Sequence, residues 1–87
     1  MIDINYELYK VFYHVASTLN FSEASKRLFI SQSAVSQSIK TLERKLDQTL
    51  FIRSTKKVQL TPEGEILMRH IEPAMNLIQK GETQLLD

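Results

Sequence analysis

Ser33, Ser36, Gln37, Lys40 and Arg44 recur at steps of three, one, three and four residues. On a helix that spacing places them on one side, with Gln32 joining them in its N-terminal half. No acidic residue interrupts the run before Glu43. A merely solvated helix face mixes Glu with Lys and Arg. Short hydroxyls and carboxamides are instead suited to hydrogen bonding with base edges. Gln can pair with adenine N6 and N7, and Lys can donate to guanine O6 and N7. A second group, Arg53, Lys56 and Lys57, follows closely. Such cations suit phosphate contacts or entry into a narrow minor groove. They also suit the simpler duty of protecting a small sheet edge.

The overall charge of +1 conceals an asymmetry. Residues 1–31 balance to zero. Residues 32–57 carry Lys40, Arg44, Lys45, Arg53, Lys56 and Lys57 against Glu43 and Asp47, a balance of +4. Residues 58–87 carry Arg69 and Lys80 against Glu63, Glu65, Glu72, Glu82 and Asp87, a balance of −3. A basic middle beside an acidic tail points to an anionic partner for the middle.

Other chemistries find little support. Cys is absent, so disulfides and thiolate sites are excluded. His14 and His70 fall on separate predicted helices, with no nucleophile–base pair or metal-ligand spacing around them. The reading is of a non-enzyme, with no catalytic residues, no metal and no cofactor. No apolar run is long enough for a transmembrane helix, and Met1-Ile2-Asp3-Ile4-Asn5 does not resemble a secretory leader. A cytoplasmic protein is expected.

The elements that position these residues emerge from periodicity and capping. Leu8, Val11, Phe12, Val15, Ala16 and Leu19 define an amphipathic helix from about Asn5 to Thr18. Ser22 is expected to cap a short helix over Glu23 to Leu28, whose inward face is Ala24, Ser25 and Leu28. After Phe29-Ile30, Ser31 caps a third helix from Gln32 to Leu46. Its apolar stripe is Val35, Ile39, Leu42 and Leu46. Leu50–Arg53 and Lys57–Leu60 read as strands of a hairpin, although no Asn-Gly or Asp-Gly turn joins them. Thr61 then caps a last helix with Pro62 in its first turn. That helix reaches about Leu86, with a bend expected at Pro73.

Helix, short helix, tight turn, helix, hairpin, helix is the order of a mainly α winged helix-turn-helix: a three-helix core, a two-stranded β wing and a long final helix. The helix pair requires small residues where it touches, here Ala24 and Ser25. It also requires apolar positions that lock the crossing, here Leu28, Ile30, Val35 and Ile39. In this arrangement helix 32–46 enters the major groove and wing 51–60 follows the backbone or minor groove. The competing use of the same fold is a protein-binding module. That module would carry apolar or acidic residues where Ser33, Ser36, Gln37 and Lys40 stand.

The run Ser31-Gln32-Ser33-Ala34-Val35-Ser36 with Ile39 and Leu42-Glu43 resembles the N-terminal signature of LysR-type transcriptional regulators. Ala24-Ser25, Leu28, Leu50-Phe51, Arg53, Leu60-Thr61 and Gly64 extend the likeness, which runs from about Tyr6 to at least Gly64. The resemblance implies sequence-specific binding of double-stranded DNA by a dimer, at pseudo-palindromic sites with a T-N11-A core. It places Gln32, Ser33, Ser36 and Gln37 in the major groove and Arg53 and Lys56 at the wing and backbone. Lys40 joins them from the helix face, and Ser22 is a further phosphate candidate. Three positions depart from the family pattern. Ser25 stands for a second Ala, Asp47 for Gly at a helix end, and Gln37 for a frequent Arg.

Leu60, Gly64, Leu67, Ile71, Ala74, Ile78, Gly81 and Leu85 follow heptad-like steps in the last helix. Leu67, Ile71, Ala74, Ile78 and Leu85 are therefore dimerisation candidates, with Met68 and Met75 on the adjoining edge. Early turns are expected to pack inside the domain, and later turns on a partner. The division is a DNA-binding domain over 1–60 and a linker helix over 61–87. Regulators of this type continue into a co-inducer-binding domain, so no small-molecule site is expected within these 87 residues.

Overall fold

A computed structural model describes residues 3–86. Met1 and Ile2, part of the leader argument, and Asp87, part of the acidic tail, lie outside them. The elements are α1 (Tyr6–Thr18), α2 (Phe21–Leu28), α3 (Gln32–Leu46), β1 (Phe51–Arg53), β2 (Val58–Leu60) and α4 (Pro62–Leu86). The winged helix-turn-helix order is the expected one.

Each of the first three helices starts at a side-chain cap and stops at a left-handed residue. Asn5 accepts from the Glu7 amide, Asn20 from Glu23 and Ser31 from Ala34. Asn20, not Ser22, therefore opens the second helix, two residues earlier than expected. Asn20 and Glu23 have the spacing of a capping box, a signal that the Ser22 assignment passed over. Leu19, Phe29 and Asp47 close the helices at φ of 52°, 57° and 53°. Beyond α2 the Phe29 amide donates to the Lys26 carbonyl and the Ile30 amide to Ser25. Asp47 and Gln48 repeat this double closure with Arg44 and Glu43. Asp47 thus occupies the positive-φ position that its alignment with a family glycine implied.

Val11, Phe12, Val15 and Ala16 of α1 meet Phe21 and Ala24 of α2, Val35, Ile39 and Leu42 of α3, and Leu50 and Phe51. Phe12 and Phe51 have ring centroids 5.4 Å apart. Removing each such large side chain from water contributes roughly 1.5–3 kcal/mol. Leu28 and Leu46 are partly buried against this core. Ile30 does not lock the helix crossing as expected: it is 40% exposed. The reversal after α2 turns it outward, and Phe21 takes the inward position.

β1 and β2 pair antiparallel, with Phe51 opposite Leu60, Ile52 opposite Gln59 and Arg53 opposite Val58. Leu50 and Lys57 fall just outside the strands. The turn relies on Ser54, whose Oγ accepts from the amides of Lys56 (3.3 Å) and Lys57 (3.1 Å). A hydroxyl here substitutes for the glycine of a tight hairpin. Thr61 caps α4 as expected: its Oγ1 accepts from the Gly64 amide at 3.0 Å and donates to the Thr49 carbonyl at 2.6 Å. A Cβ on Gly64 would collide with the Leu50 carbonyl and crowd Leu60. That bare position brings α4 close to the chain entering the wing.

α4 runs unbroken through Pro73. Its Leu67, Met68 and Ile71 pack partly buried against the core. The Tyr6 hydroxyl donates to Met75 Sδ at 3.5 Å. From 76 to 86 every residue is exposed. No helix among the described residues is long and apolar enough to cross a membrane.

Candidate nucleic-acid interface

The beginnings of α2 and α3 converge on the wing. Between them lies an open concavity of about 240 Å³, lined by Asn20, Phe21, Ser22, Gln32, Arg53, Ser54, Thr55, Lys56 and Lys57 among others. The structure thus gathers Ser22, Gln32, Arg53 and Lys56, which the sequence placed on three separate elements. Asn20, Ser54 and Thr55 complete the wall. None of these three stood among the residues expected to contact an anion.

Ser33, Gln37 and Lys40 lie exposed on α3 beside this concavity, and Arg44 follows them. Ser36 is half-buried. Its Oγ accepts from Arg53 Nη1 at 3.4 Å, at the long limit of a hydrogen bond. Ser36 is therefore already engaged by the wing, unlike the free face residues around it. At the N-terminus of α3, the hydroxyls of Ser31 and Ser33 lie 3.1 Å apart, and the Ser31 hydroxyl occupies the Ala34 amide.

The orientation of the wing comes from Glu43, which the sequence showed only as an acid ending the polar run and as part of the family signature. Glu43 extends one carboxylate oxygen, Oε2, to the amides of Leu50 (2.7 Å) and Phe51 (3.3 Å). Charge-assisted bonds of this kind are stronger than neutral ones. They fasten the last turns of α3 to the start of β1. The one acid on the C-terminal half of the helix is consumed in holding the wing, so its charge turns away from the exposed polar face.

Among the described residues the one ion pair within 4 Å is Arg27–Glu23 at 3.9 Å. Exposed on both sides, it contributes little. Lys40, Arg44, Arg53, Lys56 and Lys57 thus face solvent without a neutralising acid. This is the arrangement expected of an anion-binding surface.

The histidines stand apart from it. His14 Nδ1 is buried with no hydrogen-bond partner. Burial, then the positive charges of Arg27 and Lys10, lower its pKa from the ordinary 6.5. His70 is exposed on α4, at the rim of an apolar groove with Leu46, Leu50, Ile66 and Leu67. No group of three His, Cys, Asp or Glu among the described residues could hold a metal ion.

The model of the bacterial regulatory helix-turn-helix proteins of the lysR family matches residues 6–65. The chain belongs to the LysR family. Its curated relatives are transcriptional regulators. PerR of Escherichia coli is 43% identical over 74 residues, covering 85% of this chain and 25% of PerR. HdfR of Yersinia pestis is 41% identical over 80 residues, covering 92% of this chain and 27% of HdfR. The chain therefore spans about a quarter of the length of these relatives. Among solved structures, Corynebacterium glutamicum OxyR in its oxidized form superposes with a TM-score of 0.85 at 30% identity, over 93% of this chain and 26% of OxyR. The DNA-binding domain of CbnR, solved in complex with DNA, superposes with a TM-score of 0.81 at 26% identity, over 93% of both chains. The BenM DNA-binding domain, solved with its catB site 1 DNA, gives 0.86 at 23% identity and supports the fold alone. In LysR-family terms, these residues form the winged helix-turn-helix DNA-binding domain, with a long C-terminal helix attached.

Proposed function

We propose that this LysR-family domain binds double-stranded DNA sequence-specifically, as a homodimer, within a cytoplasmic transcriptional regulator that has no catalytic activity of its own. The observation that carries the reading is the continuous polar and cationic surface formed by α3 and the wing. In this reading Gln32, Ser33 and Gln37 approach base edges, with Lys40 beside them. Arg53, Lys56 and Ser22 contact phosphates around the concavity. Ser36 contributes through its contact with Arg53 and at the groove floor. The folds of DNA-bound CbnR and BenM domains support placing α3 in the major groove.

The later turns of α4 supply the dimer. Ala74, Ile78 and Leu85 are exposed, whereas Leu67 and Ile71 already lean on the core. The first three therefore contact the partner helix, and the last two position α4 beneath it. A pair of this kind presents two recognition helices to a pseudo-palindromic site, of the T-N11-A type that the family resemblance implies.

Selection of bound duplexes from a random pool, followed by anisotropy titration at several salt concentrations, tests the proposal. The expected result is an enriched two-fold symmetric motif and a steep fall of log K with log salt, from counterion release. Affinity that ignores both sequence and salt would overturn it and favour the protein-binding alternative.

A further inference from the structure

We propose that Phe21 is a positioning residue for DNA binding: its ring holds the Arg53 guanidinium at the wall of the concavity, ready for a phosphate. The inference rests on the DNA-binding reading above. Arg53 shares a strand face with the buried Phe51 but stands at the exposed end of β1, where a long side chain would ordinarily sample many rotamers. Instead its Cζ sits 3.9 Å from the centroid of the Phe21 ring. On its other side, Nη1 reaches Ser36 Oγ at 3.4 Å. The guanidinium is therefore held by the first residue of α2 and the second turn of α3, although it belongs to the wing.

Phe21 is itself fixed. It is 5% exposed, and its ring meets Phe51 edge-on, with centroids 6.1 Å apart and planes at 70°. Phe51 in turn packs against Phe12, with the ring planes tilted at 47°. The aromatic series Phe12, Phe51, Phe21 thus connects the centre of the core to a cation at the surface. A guanidinium stacked on a ring face retains its in-plane N–H groups, and one of these already meets Ser36. The others remain available to an anion in the concavity that Phe21, Arg53, Ser22 and Lys56 line together. A cation held in advance loses less rotamer freedom when a phosphate arrives.

The test is a double-mutant cycle of Phe21→Leu and Arg53→Ala, read as binding of a mixed-sequence duplex at low salt, with urea unfolding confirming that each variant is folded. Phe21→Leu is expected to raise Kd roughly two- to fivefold in the presence of Arg53, no more than Arg53→Ala itself, and to have no effect once Arg53→Ala is present. Phe21→Tyr, which keeps the ring face, should restore affinity. A merely structural role for Phe21 would make Phe21→Leu equally costly in both backgrounds, and that result would overturn the proposal. A second readout needs no substitution in the core: ring-current displacement of the Arg53 δ protons to high field in the unmodified chain. Unshifted δ protons would overturn the proposal as well. Failure of the unmodified chain to bind any duplex is a different outcome, which removes the DNA-binding reading and this inference together.

Discussion

The polar face around α3 and the wing and the last turns of α4 are both exposed, yet they are built from opposite materials. Around α3 and the wing the exposed groups are amides, hydroxyls and cations, and several are secured: Arg53 on Phe21 and Ser36, the wing on Glu43, the turn on Ser54. In the last turns of α4, Leu77 is 68% exposed and Leu85 89%, with nothing among the described residues to cover them. Polar side chains held in place have exchanged entropy for geometry, which suits a partner with a fixed pattern of donors and acceptors. Apolar side chains left in water lose stability until an apolar surface arrives. The contrast underlies the proposal of nucleic acid for one region and a second α4 for the other.

Three changes test this contrast, and a fourth probes a group outside it. The largest effect is expected from Gln37→Glu, which puts an acid on the free polar face without touching the core. Specific duplex affinity should fall on the order of a hundredfold or more, since both a base contact and the local field are reversed. Unfolding by urea should be unchanged, and normal anisotropy for the folded variant would break the recognition-face assignment. Ser36→Glu should also weaken binding, but its carboxylate would meet Arg53 first, so Gln37→Glu is the cleaner probe.

Ile78→Glu addresses the other region. The domain should stay folded while sedimentation shows a shift from dimer to monomer. Affinity for a two-fold symmetric duplex should drop at least about tenfold, and affinity for a half-site should stay constant. A dimer that survives this substitution would place the interface elsewhere on the molecule. Arg53→Ala is smaller in effect. Binding should weaken about fivefold for all sequences alike, and the salt slope should flatten by about one phosphate contact. Loss confined to one base position would contradict a backbone role for Arg53.

The smallest effect concerns a group outside both regions. The folded chain disfavours protonated His14, through burial and then through Arg27 and Lys10. Its folded pKa lies below the unfolded value of 6.5, so the stability from keeping it neutral is present above about pH 6.5. That stability is lost as pH falls through the unfolded value toward the folded one. Urea midpoints should decline between about pH 7 and 5.5, and His14→Gln should flatten that decline. A decline that persists unchanged in the variant would assign it to other groups.

Local rules carried the sequence reading a long way. Periodicity gave α1 and α3, and Ser31 and Thr61 were legible as caps because a hydroxyl before an apolar-periodic run has few other uses. Asp47 was legible through the resemblance, as the residue standing where the family has a glycine at a helix end. Failures came where two residues of similar chemistry competed or where tertiary packing decided. Ser22 and Asn20 both cap well, and the spacing of Asn20 to Glu23 together with the inward packing of Phe21 selects Asn20. Ile30 looks like a core residue, but the chain reversal after α2 turns it outward.

The interface divides similarly. The polar run on α3 and the wing cations are visible in linear sequence because each lies within one element. The concavity and the contacts of Arg53 with Phe21 and Ser36 are not, since they join residues 17 and 32 positions apart. Glu43 also escaped a structural role. A carboxylate late in a helix reads as solvated unless the strand that doubles back to meet it is known.

Glu43 has one more consequence. Its two bonds to Leu50 and Phe51 set the separation of α3 and the wing before any duplex is present. On the proposed mode of binding, the domain would then act as a fixed gauge laid across neighbouring grooves. A duplex whose groove spacing differs must twist or bend to match, and the cost depends on how compliant its base steps are. In that mode this carboxylate, which faces away from the exposed polar side of α3, would let the domain discriminate among sequences by their stiffness.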